Sequence, residues 1–573
     1  VTARGRLGLA LALGLLGAPP ALAQGNDAAT IAELRRQLDE MKKRIDQLEA
    51  RGARRPPAAP VVAAAPTKPA QRPAAEPRAA PAAEIRAAQA AANEARAAAA
   101  EARAAQREAQ QAQAAAAAVV AATGPVQGLD PPEPMGRRDY VGEGGDALRS
   151  DLPGIAFRVP GTESQVRLYG FAKVTAWQDF DGRNQTDAPP PSLIPLSAGP
   201  AAQQGGDFGM TARFSRFGID TRTLTGWGTL ETRIEGDFGG GSPTSNNAIF
   251  RLRQAWGELG TPAFRVLIGQ ANSLWNEGLF ETMIDATNLN QSFVRQAQIR
   301  VTARLAPSLL GQISLEAPET NFVSALGAVN PSSAVANGPS PAFNAMPDFL
   351  GRLTWREAGW EVGLRGMLRN LQVRTVGTGL DTFPTNRSAT AWGFAGHVRV
   401  PLRIVSQRFG TDELIGMAFY GEGIGRYFFG NTGGQDAVSN LGLPGARTTL
   451  AFDPLPVYGV TAAYRRFWSP SWRSNFSYSW TRQDYPSYAL GFAPGSAAAL
   501  SLNQELQQVF ANLIWSPFAT ERDGVVSTSW LDVGLEYLFT RRDLYGGAAA
   551  AQGAGGVGHG IANRILLGVV ARF

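Results

Sequence analysis

From about Val166 to Phe573, apolar and polar residues alternate with a period of two in short segments closed by Gly, Asn, Asp or Pro. In the first segment Val166, Leu168, Ala172, Val174 and Ala176 share one face, and Arg167, Tyr169, Lys173 and Thr175 share the other. Leu230, Thr232 and Ile234 stand opposite Glu231, Arg233, Glu235 and Asp237, and Leu531, Val533, Leu535, Tyr537 and Phe539 stand opposite Asp532 and Glu536. A strand with one apolar and one charged wall faces two different media. The pattern predicts about 16 strands, the even count of bacterial barrels, near residues 166–177, 213–223, 229–238, 249–259, 264–270, 295–304, 308–316, 349–355, 360–369, 389–400, 412–421, 457–467, 472–483, 504–516, 530–540 and 564–573. Alternation also fits a soluble sandwich. Two further features favour a membrane. Trp355, Trp360, Tyr464, Phe467, Trp468, Phe476, Tyr478 and Trp480 gather near strand ends and on apolar faces, as an interfacial girdle requires, and the last segment sets Ile565, Leu567, Val569, Ala571 and Phe573 on one face. The expected fold is an all-β transmembrane antiparallel β-barrel of about 16 strands, wide enough for a water-filled lumen.

The pattern before the barrel is different. Residues 1–23 read as a signal peptide: Arg4 and Arg6, an apolar run from Leu7 to Leu16, and Ala21-Leu22-Ala23 before Gln24. Residues 24–52 carry a coiled-coil seam in which Ile31, Leu34, Leu38, Met41, Ile45 and Leu48 alternate spacings of three and four. Residues 53–150 form an Ala/Pro-rich low-complexity spacer: prolines hold 53–83 extended, whereas the Ala, Glu, Arg and Gln of 84–122 favour helix with almost nothing to bury. The barrel domain takes residues 151–573, and its tracts at 183–210, 317–348, 422–456 and 484–503 read as external loops.

Composition narrows the function. After residue 23 no apolar run is long enough for a membrane-spanning helix, so a membrane span here is made of strands. The chain holds no cysteine. The net charge of +6 is spread out: 20 of the 54 Lys/Arg and 16 of the 48 Asp/Glu fall in residues 1–150, leaving 34 against 32 in residues 151–573. No polybasic face for nucleic acid results. Within the barrel every cation except Lys173 is arginine, the fixed fork that suits carboxylates. The two histidines, His397 and His559, have no Ser or Asp at a suggestive spacing, so no positioned base for catalysis is visible. No metal motif and no cofactor motif is present, and none of either is expected.

Phe157-Arg158-Val159-Pro160-Gly161-Thr162 opens a likeness to a known family. It continues through Ser215-Arg216-Phe217-Gly218, Thr232-Arg233-Ile234-Glu235-Gly236-Asp237-Phe238, Arg251-Leu252-Arg253-Gln254-Ala255-Trp256-Gly257, Gly269-Gln270 and Arg295-Gln296-Ala297-Gln298-Ile299-Arg300. In these segments the chain resembles the DcaP-like porins of proteobacterial outer membranes. The resemblance covers about the first third of the barrel, and it includes a leader followed by a short coiled coil. It implies a homotrimer of 16-stranded barrels with a periplasmic coiled coil, passing small organic anions such as dicarboxylates. The spacer and the loops after residue 316 fall outside it.

Charged rings give a pore its selectivity. The inward-facing candidates for solute steering are Lys173, Arg216, Asp220, Arg222, Arg233, Glu235, Arg251, Arg253 and Arg300. A ladder of ion pairs that stiffens the wall is the competing reading of the same residues. The function expected is passive diffusion of small hydrophilic solutes across the outer membrane, with outer-membrane lipid as the surrounding partner and the N-terminal segment on the periplasmic side. The alternative is a structural envelope protein whose barrel anchors a coil and spacer that reach the cell wall or a periplasmic partner. An energised transporter would need a globular plug, and the Ala-rich segment has too little apolar surface to fold as one.

Overall fold

The computed structural model describes residues 152, 154–184, 187–240, 248–277, 280–283, 288–333, 339–377, 383–522 and 525–573. The leader, the heptad seam from Ile31 to Leu48 and the Ala/Pro spacer lie outside these residues.

Sixteen antiparallel strands close into a barrel: β1 (Ser164–Asp179), β2 (Arg216–Thr225), β3 (Gly228–Asp237), β4 (Arg251–Gly260), β5 (Phe264–Asn272), β6 (Arg295–Ala306), β7 (Leu309–Glu316), β8 (Asp348–Glu357), β9 (Trp360–Val376), β10 (Pro384–Pro401), β11 (Glu413–Glu422), β12 (Pro456–Ser469), β13 (Trp472–Gln483), β14 (Asn503–Trp515), β15 (Leu531–Leu544) and β16 (His559–Arg572). Each strand pairs with its neighbour in sequence, and β16 returns to β1 with Leu567 opposite Ala176 and Arg572 opposite Phe171. Closure leaves no unpaired edge in contact with lipid. Where β1 runs past the end of β16, Ile155–Arg158 pairs with its residues 165–168 and covers the remaining edge. Each expected segment corresponds to one of these strands.

Exposure separates this fold from a sandwich. The apolar stripe faces outward, with Ile313 64% and Phe394 65% exposed, whereas the charged stripe is inside, with Arg216 at 2% and Glu235 at 0%. That is the reverse of a soluble protein and the pattern of a barrel in lipid. Aromatic rings form contacting rows on the outer face. Trp392, Tyr420, Tyr458 and Trp480 run across β10–β13 with centroids 5.5–6.1 Å apart. At the opposite end of the strands Trp472 meets Trp515 at 6.2 Å.

The two ends of the barrel differ. At one end most connections are short, as at Gly226-Trp227 between β2 and β3. At the other end the chain makes long excursions: 180–215, 273–294, 317–347, 423–455 and 484–502. Three of these join above the barrel. Residues 322–324, 327–329, 437–439 and 452–454 form a small four-stranded sheet. Val323, Val438, Leu455, Ala489, Phe492 and Leu502 then pack as a buried cluster shared by three loops.

Candidate permeation pathway

In the connection between β5 and β6, the described residues 273–277, 280–283 and 288–294 fold into the lumen, and their side chains are mostly buried. It is the constricting loop that alternation alone did not identify. Its fixings are spaced along its length. At its start the Leu274 N–H donates to Glu316 Oε1 at 2.9 Å, and Arg352 Nη1 donates to the Asn276 carbonyl at 2.9 Å. Glu277 pairs with Arg365 of β9 at 2.8 Å. Glu281 pairs with Arg473 at 2.6 Å and lies 3.7 Å from Arg465. Burial pushes the Glu281 carboxyl up, but Arg473 and then Arg465 outweigh it and hold the group at about 2.

Met283 locks the centre of the loop. Its N–H donates to Glu536 Oε2 at 2.8 Å, and its carbonyl accepts from Lys173 Nζ at 2.8 Å. Its side chain occupies a recess left by Gly534 and Gly568: a Cβ at either position would lie 2.8 or 2.7 Å from a Met283 carbon. Asn290 locks the far end. Its amide donates to the Val460 and Trp480 carbonyls and to Thr461 Oγ1 at 2.9–3.1 Å, while its oxygen accepts from Asn431 at 2.8 Å and from Thr481. Its backbone sits at φ 70°, a left-handed conformation that asparagine tolerates better than most residues. Through Asn431 the bond network reaches the loop 423–455, whose Phe428 stacks on Phe419 at 4.0 Å and meets Trp275 edge-on at 6.0 Å.

The wall of β2–β4 is built from charge. Arg216 lies 3.4 Å from Glu235; Arg253 bridges Glu235 at 3.0 Å and Asp237 at 2.7 Å; Arg251 reaches Asp237 at 2.8 Å. A bulge in β4, where Glu235 pairs with Gln254 and Gly236 with Leu252, turns Arg253 inward beside its neighbours. Further toward the short-turn end Asp220 accepts from Arg233 at 2.8 Å and from Arg167. Arg233 also lies over the Tyr169 and Trp256 rings.

Of the candidates read from the sequence, Arg216, Glu235 and Arg253 are fully buried in this ion-pair cluster. Asp220, Arg233 and Arg251 are partly open, with side chains 14–16% exposed. Lys173 holds the loop. Arg300 donates to Gln298 Oε1 at 3.0 Å and to the Asn272 carbonyl, and Arg222 is half-buried. Sequence reasoning missed Arg295, Arg352, Arg365, Arg369, Arg465 and Arg473. All but Arg295 stand at inward positions on alternating strands, so the same period of two was a usable signal. Arg295 heads β6: its Nη1 is buried with no hydrogen-bond partner, and the charges acting on it are Arg253, Arg251, Asp237 and Arg216.

A closed barrel of 16 strands with an apolar exterior, a charged interior and a loop folded into the lumen has the fold of an outer-membrane channel of the porin type. Among solved structures, the chain is similar to the outer membrane channel DcaP of Acinetobacter baumannii at TM-score 0.53 and 20% identity, covering 72% of this chain and 97% of that one. An anion-selective porin from Comamonas acidovorans aligns over 72% of this chain and 100% of its own, at 11% identity and TM-score 0.40. No family model and no curated protein matches the sequence.

Proposed function

We infer that the chain is an outer-membrane porin through which small organic anions diffuse passively. The observation that carries this reading is the charge balance beside the constricting loop. Four arginines, Arg216, Arg251, Arg253 and Arg295, face two carboxylates, Glu235 and Asp237, and the buried Nη1 of Arg295 has no hydrogen-bond partner among the described residues. A guanidinium in that position favours a carboxylate passing at close range.

Homotrimer formation belongs to the same proposal. At its short-turn end the outer face of β1–β3 carries hydroxyl pairs: Ser164 bonds Thr223 at 2.9 Å and Thr221 bonds Thr232 at 2.6 Å on the outward side. Hydroxyl pairs there suit contact with another subunit better than contact with acyl chains. The chain enters the barrel beside the short turns, which face the periplasm in bacterial barrels, and this supports a periplasmic place for residues 24–150.

Single-channel recording tests the reading. Wild-type protein is expected to give conductance steps in threes and an anion-selective reversal potential in a salt gradient, and Arg295→Ala is expected to lower that selectivity several-fold. A silent bilayer from folded protein overturns the porin; a selectivity unchanged by Arg295→Ala overturns the assigned site.

A further inference from the structure

His397 belongs to none of the groups assigned above, yet it stands between the barrel wall and the constricting loop. It points inward from β10 and its side chain is fully buried. Gly363 on β9 makes room for it, because any Cβ there would overlap the imidazole. The ring is contacted at both nitrogens. Nδ1 lies 3.1 Å from Arg365 Nη1, and Nε2 lies 3.2 Å from Glu361 Oε1. A guanidinium has only donors, so Nδ1 accepts and the proton sits on Nε2, donated to Glu361. The contacts therefore define a neutral imidazole in one tautomer.

Arg365 in turn holds the loop. Its Nη2 pairs with Glu277 at 2.8 Å and its head lies 5.4 Å from the Trp275 ring. An unbroken line of contacts thus runs Arg356, Glu361, His397, Arg365, Glu277, with 2.9 Å between the first two. The charged groups around the imidazole are Glu361 and Arg365 of β9, Arg352 of β8, Arg399 of its own strand, and Glu277 of the loop; its partner on β11, Met417, is neutral.

We propose that His397 is the positioning residue through which acid loosens the constricting loop. A second proton on the ring puts an N–H on Nδ1, facing another donor 3.1 Å away. The acceptor is lost and two cations are left in contact. Glu361 keeps the imidazolium, because it faces Nε2 and is held in place by Arg356. Arg365 is the group that moves, and Glu277 and Trp275 move with it. The mechanism rests on the channel reading and adds a proton sensor to it.

The test is the voltage at which channels close in planar bilayers, measured on the full chain between about pH 8 and about pH 5, either side of the ordinary histidine value. The wild type is expected to close at progressively lower voltage as pH falls. His397→Gln, which offers an acceptor and a donor but cannot be charged, is expected to lose that dependence. Glu361→Gln, which removes the carboxylate favouring the imidazolium, is expected to shift the transition to lower pH. Both variants are checked for barrel closure by heat-modified gel mobility, and Glu361→Gln carries the test if His397→Gln does not fold. A closing voltage independent of pH in the wild type, or the same pH dependence in His397→Gln, overturns the proposal. Conducting channels without pH dependence would leave the porin standing, whereas no conductance at all would remove both.

Discussion

Two walls of the same barrel obey the same alternation and present opposite interiors. On β2–β4 the inward positions carry Arg216, Asp220, Arg233, Glu235, Asp237, Arg251 and Arg253, which hold one another across adjacent strands, and Arg222, which stands beside them. On β12–β16 Gly459, Thr461, Ser477, Thr481, Gln508, Asn512, Gly534 and Gly568, small or amide-bearing residues, stand among the charged Arg465, Arg473 and Glu536, and together they receive a loop. The first wall is self-sufficient, since each carboxylate named has an arginine on its own or a neighbouring strand. The second is incomplete by itself. Asn290 and Met283 supply the partners and the volume that its side chains lack. If the arginine wall steers anions as proposed, selectivity and architecture occupy different sides of the lumen, and mutation should separate them.

The largest effect is expected on the receiving wall. Asn290→Ala removes three donated and two accepted hydrogen bonds at a residue with no solvent access, and leaves buried groups on β12, β13 and the 423–455 loop unsatisfied. With each such group worth about 1–3 kcal/mol and neighbouring groups relaxing together, a loss of about 3–4 kcal/mol is expected in chemical unfolding from detergent. Conductance should rise as the loop leaves the lumen. Unchanged conductance with unchanged stability would show that the loop is held elsewhere.

Gly568→Val probes the recess directly. The added carbon stands 2.7 Å from the Met283 methyl, and overpacking of this kind costs about 1–3 kcal/mol. If the recess exists to seat Met283, truncating that side chain in the same molecule should restore much of the loss. The double variant Gly568→Val with Met283→Ala is expected to be more stable than the sum of the single effects predicts. Additive losses would break the assignment.

This contrast was only partly legible in the sequence. The strands were, because a barrel in lipid imposes one rule, apolar outside and polar inside, on every strand. The inward direction of Lys173, Arg216 and Glu235 follows from the same rule. What each side chain touches does not. Lys173 meets a carbonyl 110 residues away, and a bulge puts Arg253 on the same side as its neighbour Gln254. The constricting loop was missed for a physical reason. The strands were found by a period of two, and the apolar residues of the loop, Trp275, Phe280, Met283 and Leu289 among them, do not follow it. The usable signal was their presence at all: so many large apolar residues in a connection between lumen-lining strands need a surface to bury against.

The smallest expected effect lies on the arginine wall. Arg222 makes no hydrogen bond and no ion pair among the described residues, and across the strands it stands between Gln165 and Glu231. Replacing it with Gln takes away a charge without orphaning a partner, so stability should stay within about 0.5 kcal/mol. Its cation still contributes to the field near the short-turn mouth, where ions are hydrated and screening falls off over about 8–10 Å at ordinary salt. Anion preference in Arg222→Gln should therefore drop slightly at low ionic strength and match the wild type at high ionic strength. At Arg295, which lies beside the constricting loop with a buried Nη1, the loss of preference should survive added salt. A salt dependence that is the same at both positions would mean that the two arginines act through one long-range field, and that the buried one makes no close contact with the solute.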